Sequence, residues 1–208
     1  MARSLDEIAS RLAAQPPALE SRPARMRAAV SLVLREADGD LEALFIRRAR
    51  HDADPWSGHL AFPGGRLDEI DATARAAAER ETREEVGIDL TNRARVRALG
   101  RLEDVFGHAE SIRVSAFVYG LEVHGPLRPN YEVDAAFWSP LDHCTDPARQ
   151  AVREFTYLER KRPLPTIRLL DEADAPVLWG ITYKFMDDFM SRIGRPIPFM
   201  PWEADTPG

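Results

Sequence analysis

The chain has 208 residues, 44 % of them hydrophobic and 30 % charged, which suits one sizeable domain with its own core. A net charge of −6 argues against a nucleic-acid surface, and the single cysteine, Cys144, excludes a disulfide framework and a cysteine zinc site. No apolar run reaches the ~20 residues of a membrane span, and the N-terminus has no apolar signal core, so the expected location is cytoplasmic.

Leu5, Ile8 and Leu12 share one helical face and predict an amphipathic helix over Ser4 to Ala14. A proline-rich connector follows from Pro16 to Pro23. Ala28 to Arg35 reads as a strand with Val30, Leu32 and Leu34 on one face. Asp38-Gly39-Asp40 is a hairpin turn, and Leu41 to Arg48 is the partner strand. The apolar run ending in Pro63-Gly64-Gly65 is expected to be a strand closing into a tight turn. A helix is expected from Ala72 to Val86, N-capped by Asp71 or by Thr73 and C-capped by Gly87. Further strands are expected at Val96 to Leu102, Ile112 to Val123 and Glu132 to Trp138, after which Ser139-Pro140 opens a short helix. Phe155 to Leu158 and Ile167 to Leu170 form a final pair. The spacing of Leu178, Ile181, Phe185, Phe189 and Ile193 predicts a C-terminal helix over Val177 to Ile193. Mixed strands with helices on both sides indicate an α/β domain over residues 25–195. It is preceded by a helix and connector (1–24) and followed by a tail (196–208) that is loose or laid on the surface.

The chemistry concentrates in Arg80 to Ile88. Glu81, Glu84 and Glu85 stand at i, i+3 and i+4, so one helix face carries three carboxylates that repel one another. The plain alternative is a solvated face with an ordinary Arg80–Glu84 pair. The glycine loop upstream favours a site instead. Gly64 and Gly65 permit close backbone approach, so an amide or carbonyl there can reach a metal or a phosphate. Hard divalent cations take oxygen ligands and often bind through a few carboxylates plus substrate phosphates. Arg47-Arg48-Arg50 and Arg160-Lys161-Arg162 are basic clusters that either contact phosphate or solubilise the surface. Cys144 reads as a buried, inert thiol.

Gly65, Arg80-Glu81, Glu84-Glu85 and Gly87-Ile88 resemble the signature box of the Nudix hydrolase family. The half from Arg80 to Ile88 follows that box at each specified position. The first half departs from it: Ala72 stands where the family has a glutamate, the nearest acid is Asp71, and the join between loop and helix is one residue longer. Phe62-Pro63-Gly64-Gly65 followed by Asp68 and Asp71 resembles the coenzyme A pyrophosphatase branch. That branch also has an apolar strand with an arginine, here Leu44 to Ile46 with Arg47 or Arg48, and a nearby glycine, here Gly58. The loop Asp52 to Ser57 replaces the leucine and histidine of that branch.

The resemblance implies an α/β/α sandwich with a mixed sheet, and Mg²⁺ or Mn²⁺ held by Glu81, Glu84, Glu85 and the carbonyl of Gly65. Arg80 then orients a box glutamate, and Arg47, Arg48, Gly64 and Arg66 are candidate substrate contacts. The general base is open: a box glutamate such as Glu84 or Glu85, Glu132 at the start of its strand, or Glu103 or Asp104. His59 and His108 are not required by this chemistry. Trp56, Phe62 and Tyr131 are candidates for stacking on a base or for the core. The implied reaction is hydrolysis of a pyrophosphate linkage in a nucleoside diphosphate derivative, coenzyme A first. ADP-ribose, a reduced dinucleotide and a nucleoside triphosphate are the alternative substrates, and a non-catalytic nucleotide-binding domain is the alternative class. The partner expected is a small nucleotide, with no nucleic acid or membrane and with a homodimer left open.

Overall fold

The structure is a computed structural model that describes residues 3–18, 22–51, 57–107, 111–123, 125–157, 160–172 and 174–198. Helix α1 (Leu5–Ala14) is N-capped by Ser4, whose hydroxyl accepts the Glu7 N–H at 3.3 Å, and it buries Leu5, Ile8 and Leu12. Strands β1 (Met26–Ala37) and β2 (Asp40–Arg48) form a hairpin across Asp38-Gly39. Both turn residues have positive φ, 48° and 81°, the geometry that matches the twist of the flanking strands.

Strands β3 (Leu60–Ala61) and β4 (Gly64–Arg66) lead into helix α2 (Ala74–Val86). Then come β5 (Val96–Arg101), β6 (Val105–Gly107), β7 (Ile112–Leu121) and β8 (Val133–Pro140). A short helix α3 (Asp142–Thr145), a hairpin of β9 (Gln150–Tyr157) and β10 (Arg160–Ile167), and helix α4 (Gly180–Arg192) follow.

Eight described strands make one mixed sheet with the path β3-β2-β1-β7-β5. Within it β8 lies along β2, β4 along β1 and β6 along β7. The β1–β7 pair is parallel and the other pairs are antiparallel. β1 is therefore an interior strand, and it buries both faces: Ala29 and Val33 on one, Leu32 and Leu34 on the other. Helix α2 covers the first face, where Ala77 and Ala78 meet Ala29. Helices α1 and α4 cover the second, in a core with Leu32, Leu34, Phe45 and Val114. This is the expected α/β/α sandwich. No helix among the described residues is long and apolar enough to cross a membrane.

Several boundaries differ from the expectations. The final strand pair is β9–β10, so Ile167 ends a strand rather than beginning one. Pro163 and Pro165 look like breakers in sequence, but a two-stranded sheet tolerates proline at an edge. Helix α4 starts at Gly180 because Leu178 exchanges two backbone hydrogen bonds with Ile167, at 2.8 and 3.0 Å, and is held extended. The strand β8 runs through Pro140, so the short helix opens only at Asp142. Strand β6 was not anticipated, being only three residues long. The expected tail lies outside the described residues from 199 onward, while Ile197 is buried in the core.

Two glycines separate steric from conformational demand. At Gly64, with φ of 150°, an added Cβ lies within 2.6 Å of the Val30 Cα and closer still to the Ala29 carbonyl. At Gly180, with φ of 68°, an added Cβ meets nothing within 4 Å. Gly64→Ala is expected to destabilise the fold by about 3 kcal/mol or more, through overpacking against rigid backbone. Gly180→Ala should cost only ~1–2 kcal/mol, the conformational penalty alone. Thermal denaturation of the two variants measures the difference, at ~2–4 °C for each kcal/mol.

Candidate active site

Helix α2 presents the acidic face. Thr73, not Asp71, is its N-cap, accepting the Ala76 N–H at 3.1 Å, and Gly87 closes it in the left-handed conformation at φ 76°. Asp71 is used elsewhere: it receives the Arg80 guanidinium at both carboxylate oxygens, at 3.1 and 2.9 Å. The same guanidinium reaches Glu81 at 2.9 Å, Glu84 at 3.0 Å and the Arg66 carbonyl at 3.3 Å. Asp71 therefore supplies a carboxylate where Ala72 has none, and the longer join brings it within reach. The paired guanidinium holds Asp71 below the usual carboxylate range.

Strand β4 sits between β1 and α2. The Gly64 N–H donates to the Glu85 carboxylate at 2.8 Å, and Glu85 is 2 % exposed. Burial pushes Glu85 up to about 8 against that hydrogen bond, and the nearby charges of Glu81 and Glu132 push the same way while Arg48 opposes. Glu81 is also raised, by burial first and then by Glu84 and Glu132, against Arg80. A Cβ on Gly65 would stand 2.5 Å from the Glu81 carboxyl, so this glycine leaves room for the carboxylate. The glycines do not form the expected turn; they are a short strand paired with Ala29 and Val30.

Glu132 reaches the site because its loop caps α2. The Arg128 and Asn130 amides donate to the carbonyls of Val86 and Glu85, at 2.9 and 3.0 Å. The Asn130 side chain then accepts the Glu132 N–H at 2.9 Å.

Glu81, Glu85 and Glu132 line one cavity of about 630 Å³ together with Arg48, Gly64, Gly65 and Arg66. Arg47 does not join them. It forms an ion pair with Asp134 at 2.7 Å. Neighbouring strand residues point to opposite faces, and the β2–β8 register shifts between Arg47 and Arg48. Glu84 is half exposed, pairs with Arg80 and does not line the cavity.

Glu103 and Asp104 are used in the scaffold. Glu103 pairs with Arg192 at 3.1 Å, and Asp104 accepts from Arg101 and from the Ser115 hydroxyl, the latter at 2.7 Å. Phe62 is core, stacked on Phe45, and also touches the cavity; Tyr131 is 88 % exposed. His59 lines the cavity, whereas Trp56 and His108 fall outside the described residues. Cys144 is buried and its thiol is pushed up to about 12, as expected of an inert group.

The sequence reading missed Ile112, Val114 and the segment Trp179 to Thr182, which also line the cavity. Their apolar spacing reads as ordinary core. Nothing local distinguishes a core side chain from one that walls a cavity.

The oxygen-only donors suit a hard divalent cation. Three crowded carboxyls, two of them raised, would ionise more readily beside such an ion, and Gly65 opens the space beside Glu81. With Arg80 on the oxygens of Glu81 and Glu84, no three acidic, His or Cys side chains among the described residues converge as tightly as an ion's shell. Binding would need those two side chains to turn from Arg80.

A family model described as the NUDIX domain matches residues 25–159. Human mitochondrial coenzyme A diphosphatase NUDT8 is 33 % identical over 147 residues, covering 69 % of this chain and 60 % of that protein. The uncharacterized Nudix hydrolase NudL of Shigella flexneri is 28 % identical over 199 residues, covering 92 % of this chain and 95 % of that one. A crystal structure of a MutT/nudix family protein from Enterococcus faecalis superposes with a TM-score of 0.52 at 16 % identity, over 92 % of this chain and 70 % of that one, which shows a shared fold. The chain spans only 31 % to 60 % of the lengths of the first three curated relatives it matches.

The raised Glu85 ties stability to pH. Its folded pKa lies above the unfolded value, so its contribution is complete below about pH 4.5 and is lost as pH rises towards 8. Metal-free protein in chelator is expected to melt progressively lower across that window. Glu85→Gln should flatten the trend and raise the melting temperature at pH 8, by ~2–4 °C for each kcal/mol recovered. A wild-type melting temperature that rises between pH 5 and 8 by the same amount in both proteins would contradict the assignment.

Proposed function

This chain belongs to the Nudix family, and from that premise we propose that it hydrolyses the diphosphate linkage of a nucleoside diphosphate derivative with a divalent cation, coenzyme A being the first candidate substrate. The observation that carries this reading is the convergence of Glu81, Glu85, Glu132 and Arg48 on one cavity beside the Gly64-Gly65 backbone. The relatives named coenzyme A diphosphatase, at 33 % identity in human and 31 % in mouse, support the choice of substrate.

Members of the family generally use divalent metal ions; Mg²⁺ or Mn²⁺ is proposed here, held by Glu81, Glu84, Glu85 and the Gly65 carbonyl. When bound, such an ion neutralises charge on the diphosphate oxygens and makes an attacking water more acidic. The protein's own groups supply the rest. Gly64 donates to Glu85 and fixes its rotamer. Arg80, itself anchored on Asp71, stands between Glu81 and Glu84 and sets where their carboxylates rest. Arg48 and Arg66 line the cavity and offer cationic donors to phosphate oxygens.

Glu132, exposed at the cavity wall, is the proposed proton acceptor from water. Water adds to one phosphorus, the bridging P–O bond breaks, and the bridging oxygen leaves with the other phosphate. From coenzyme A the products are adenosine 3′,5′-bisphosphate and 4′-phosphopantetheine.

The test is turnover of coenzyme A, ADP-ribose, NADH and diadenosine polyphosphates, with and without Mg²⁺ or Mn²⁺. Metal-dependent release of 4′-phosphopantetheine is expected. Glu85→Gln and Glu81→Gln should each lower kcat by about 10²-fold or more, with Glu132→Gln lower by ~10²–10⁴-fold if it takes the proton. Turnover of ADP-ribose or NADH but not coenzyme A would keep the chemistry and replace the substrate. No turnover of any compound would favour a binding domain.

A further inference from the structure

The cavity has apolar liners that the diphosphate chemistry does not use. Strand β4, which carries Gly64 and Gly65, pairs with β1, and β1 pairs with β7, so that Arg66, Ala28 and Val114 lie in one row across the sheet. Strands are ~4.8 Å apart, so this row moves ~10 Å from the glycine strand to β7. There Ile112 and Val114 line the cavity. On the far side of β7 lies β6, and at its Gly107 an added Cβ would stand 2.5 Å from the Ile181 Cδ1 of α4. Ile181 belongs to this wall, and the preceding Trp179, set against His59, lines the same cavity.

Trp179 is held rigidly. Its ring stacks on Phe155 of β9 with centroids 3.9 Å apart and planes 15° apart, and it meets the edge of His59 at 5.0 Å. No Lys, Arg, Asp or Glu comes from β7 or from residues 179–182 to line the cavity; Thr182 is their polar contribution. The charged liners are on β2, β4, α2 and the loop before β8. These apolar side chains, those of β7 lying two strands or ~10 Å from the glycine strand, suit an uncharged aliphatic chain, because burying CH₂ and CH₃ groups is favourable and burying a further phosphate there is not.

Resting on the reading of the site as a diphosphate hydrolase, we propose that Trp179, Ile181, Ile112 and Val114 determine specificity by packing against an uncharged, branched aliphatic moiety joined to the diphosphate. In coenzyme A that moiety is the pantetheine arm, with its geminal methyl groups. Residues 179–182 come from beyond the NUDIX match at 25–159, so that part of the wall is built by the C-terminal part of this chain, while Ile112 and Val114 lie within the match.

The experiment compares full-length wild type, Trp179→Ala, Trp179→Phe and Ile181→Ser in two assays. The first is kcat/KM for coenzyme A and for ADP-ribose under the same metal conditions. The second is calorimetric binding of 4′-phosphopantetheine and of ribose 5-phosphate. Trp179→Ala and Ile181→Ser are expected to lower the coenzyme A to ADP-ribose preference by about tenfold, ~1.4 kcal/mol, chiefly through KM, and to weaken 4′-phosphopantetheine binding alike. Trp179→Phe, which keeps the stack on Phe155, should recover most of it. Equal losses on both substrates, or 4′-phosphopantetheine binding that ignores both variants, would overturn the proposal. If the wild type hydrolyses neither compound yet binds 4′-phosphopantetheine in a Trp179-dependent way, the hydrolase reading fails and the wall stands.

Discussion

The close approach of the Gly64-Gly65 backbone to its neighbours is the constraint on which the site depends. On one side Gly64 lies against the Ala29 carbonyl and the Val30 backbone with no space for a Cβ. On the other its N–H enters the Glu85 carboxylate, and Gly65 leaves room for the Glu81 carboxyl. A side chain at Gly64 would push the strand from β1, and one at Gly65 would displace the Glu81 carboxylate. With β4 alongside, α2 sets its small residues Ala77 and Ala78 on Ala29 of β1, and its acidic face is drawn to the edge of the cavity. Packing and chemistry are thus one constraint: the residues that let the helix settle on the sheet also fix the buried carboxyl.

Arg80 resolves the electrostatic problem that this packing creates. Carboxylates at i, i+3 and i+4 repel, and burial removes the water that would screen them. One guanidinium, anchored at both oxygens of Asp71, lies between Glu81 and Glu84. Among the described residues Glu85 has no such partner; it has a backbone N–H and the field of Arg48, and it remains high. The most buried acid of the site is therefore the one held most strongly in its neutral form. The longer join between glycine strand and helix is accommodated by the same network, since Asp71 lies outside the helix and is free to fold back on Arg80.

Much of this was legible in the chain because it is local. Helical periodicity places Glu81, Glu84, Glu85 and Arg80 on one face whatever the surroundings. The Asp38-Gly39 turn, the Gly87 cap and the apolar stripes of α1 and α4 follow from local conformational preference and amphipathic spacing. The misreadings were local rules overruled by neighbours. Asp71 is a good N-cap in isolation, but Arg80 claims it and Thr73 caps instead. Leu178 continues the helical stripe, but pairing with Ile167 keeps it extended. Pro163 and Pro165 hid a strand that only an edge position permits.

By itself the sequence determined the acidic helix and the glycine pair upstream of it, because each rests on spacing within a few residues; the sandwich followed from the resemblance, and the glycines proved to be a strand rather than a turn. Only the tertiary structure decided which residues share the cavity. Arg47 and Arg48 are adjacent in sequence, yet one is paired with Asp134 and the other lines the cavity, since a strand alternates its faces and the register slips between them. Glu132 arrives through a loop that caps α2, and Glu103 and Asp104 are bound to Arg192 and Arg101 instead. Trp179 and Ile181 come from about a hundred residues beyond the acidic helix. Sequence periodicity records that a side chain is buried; only the packing of distant elements determines whether it faces other core residues or the space that a ligand would fill.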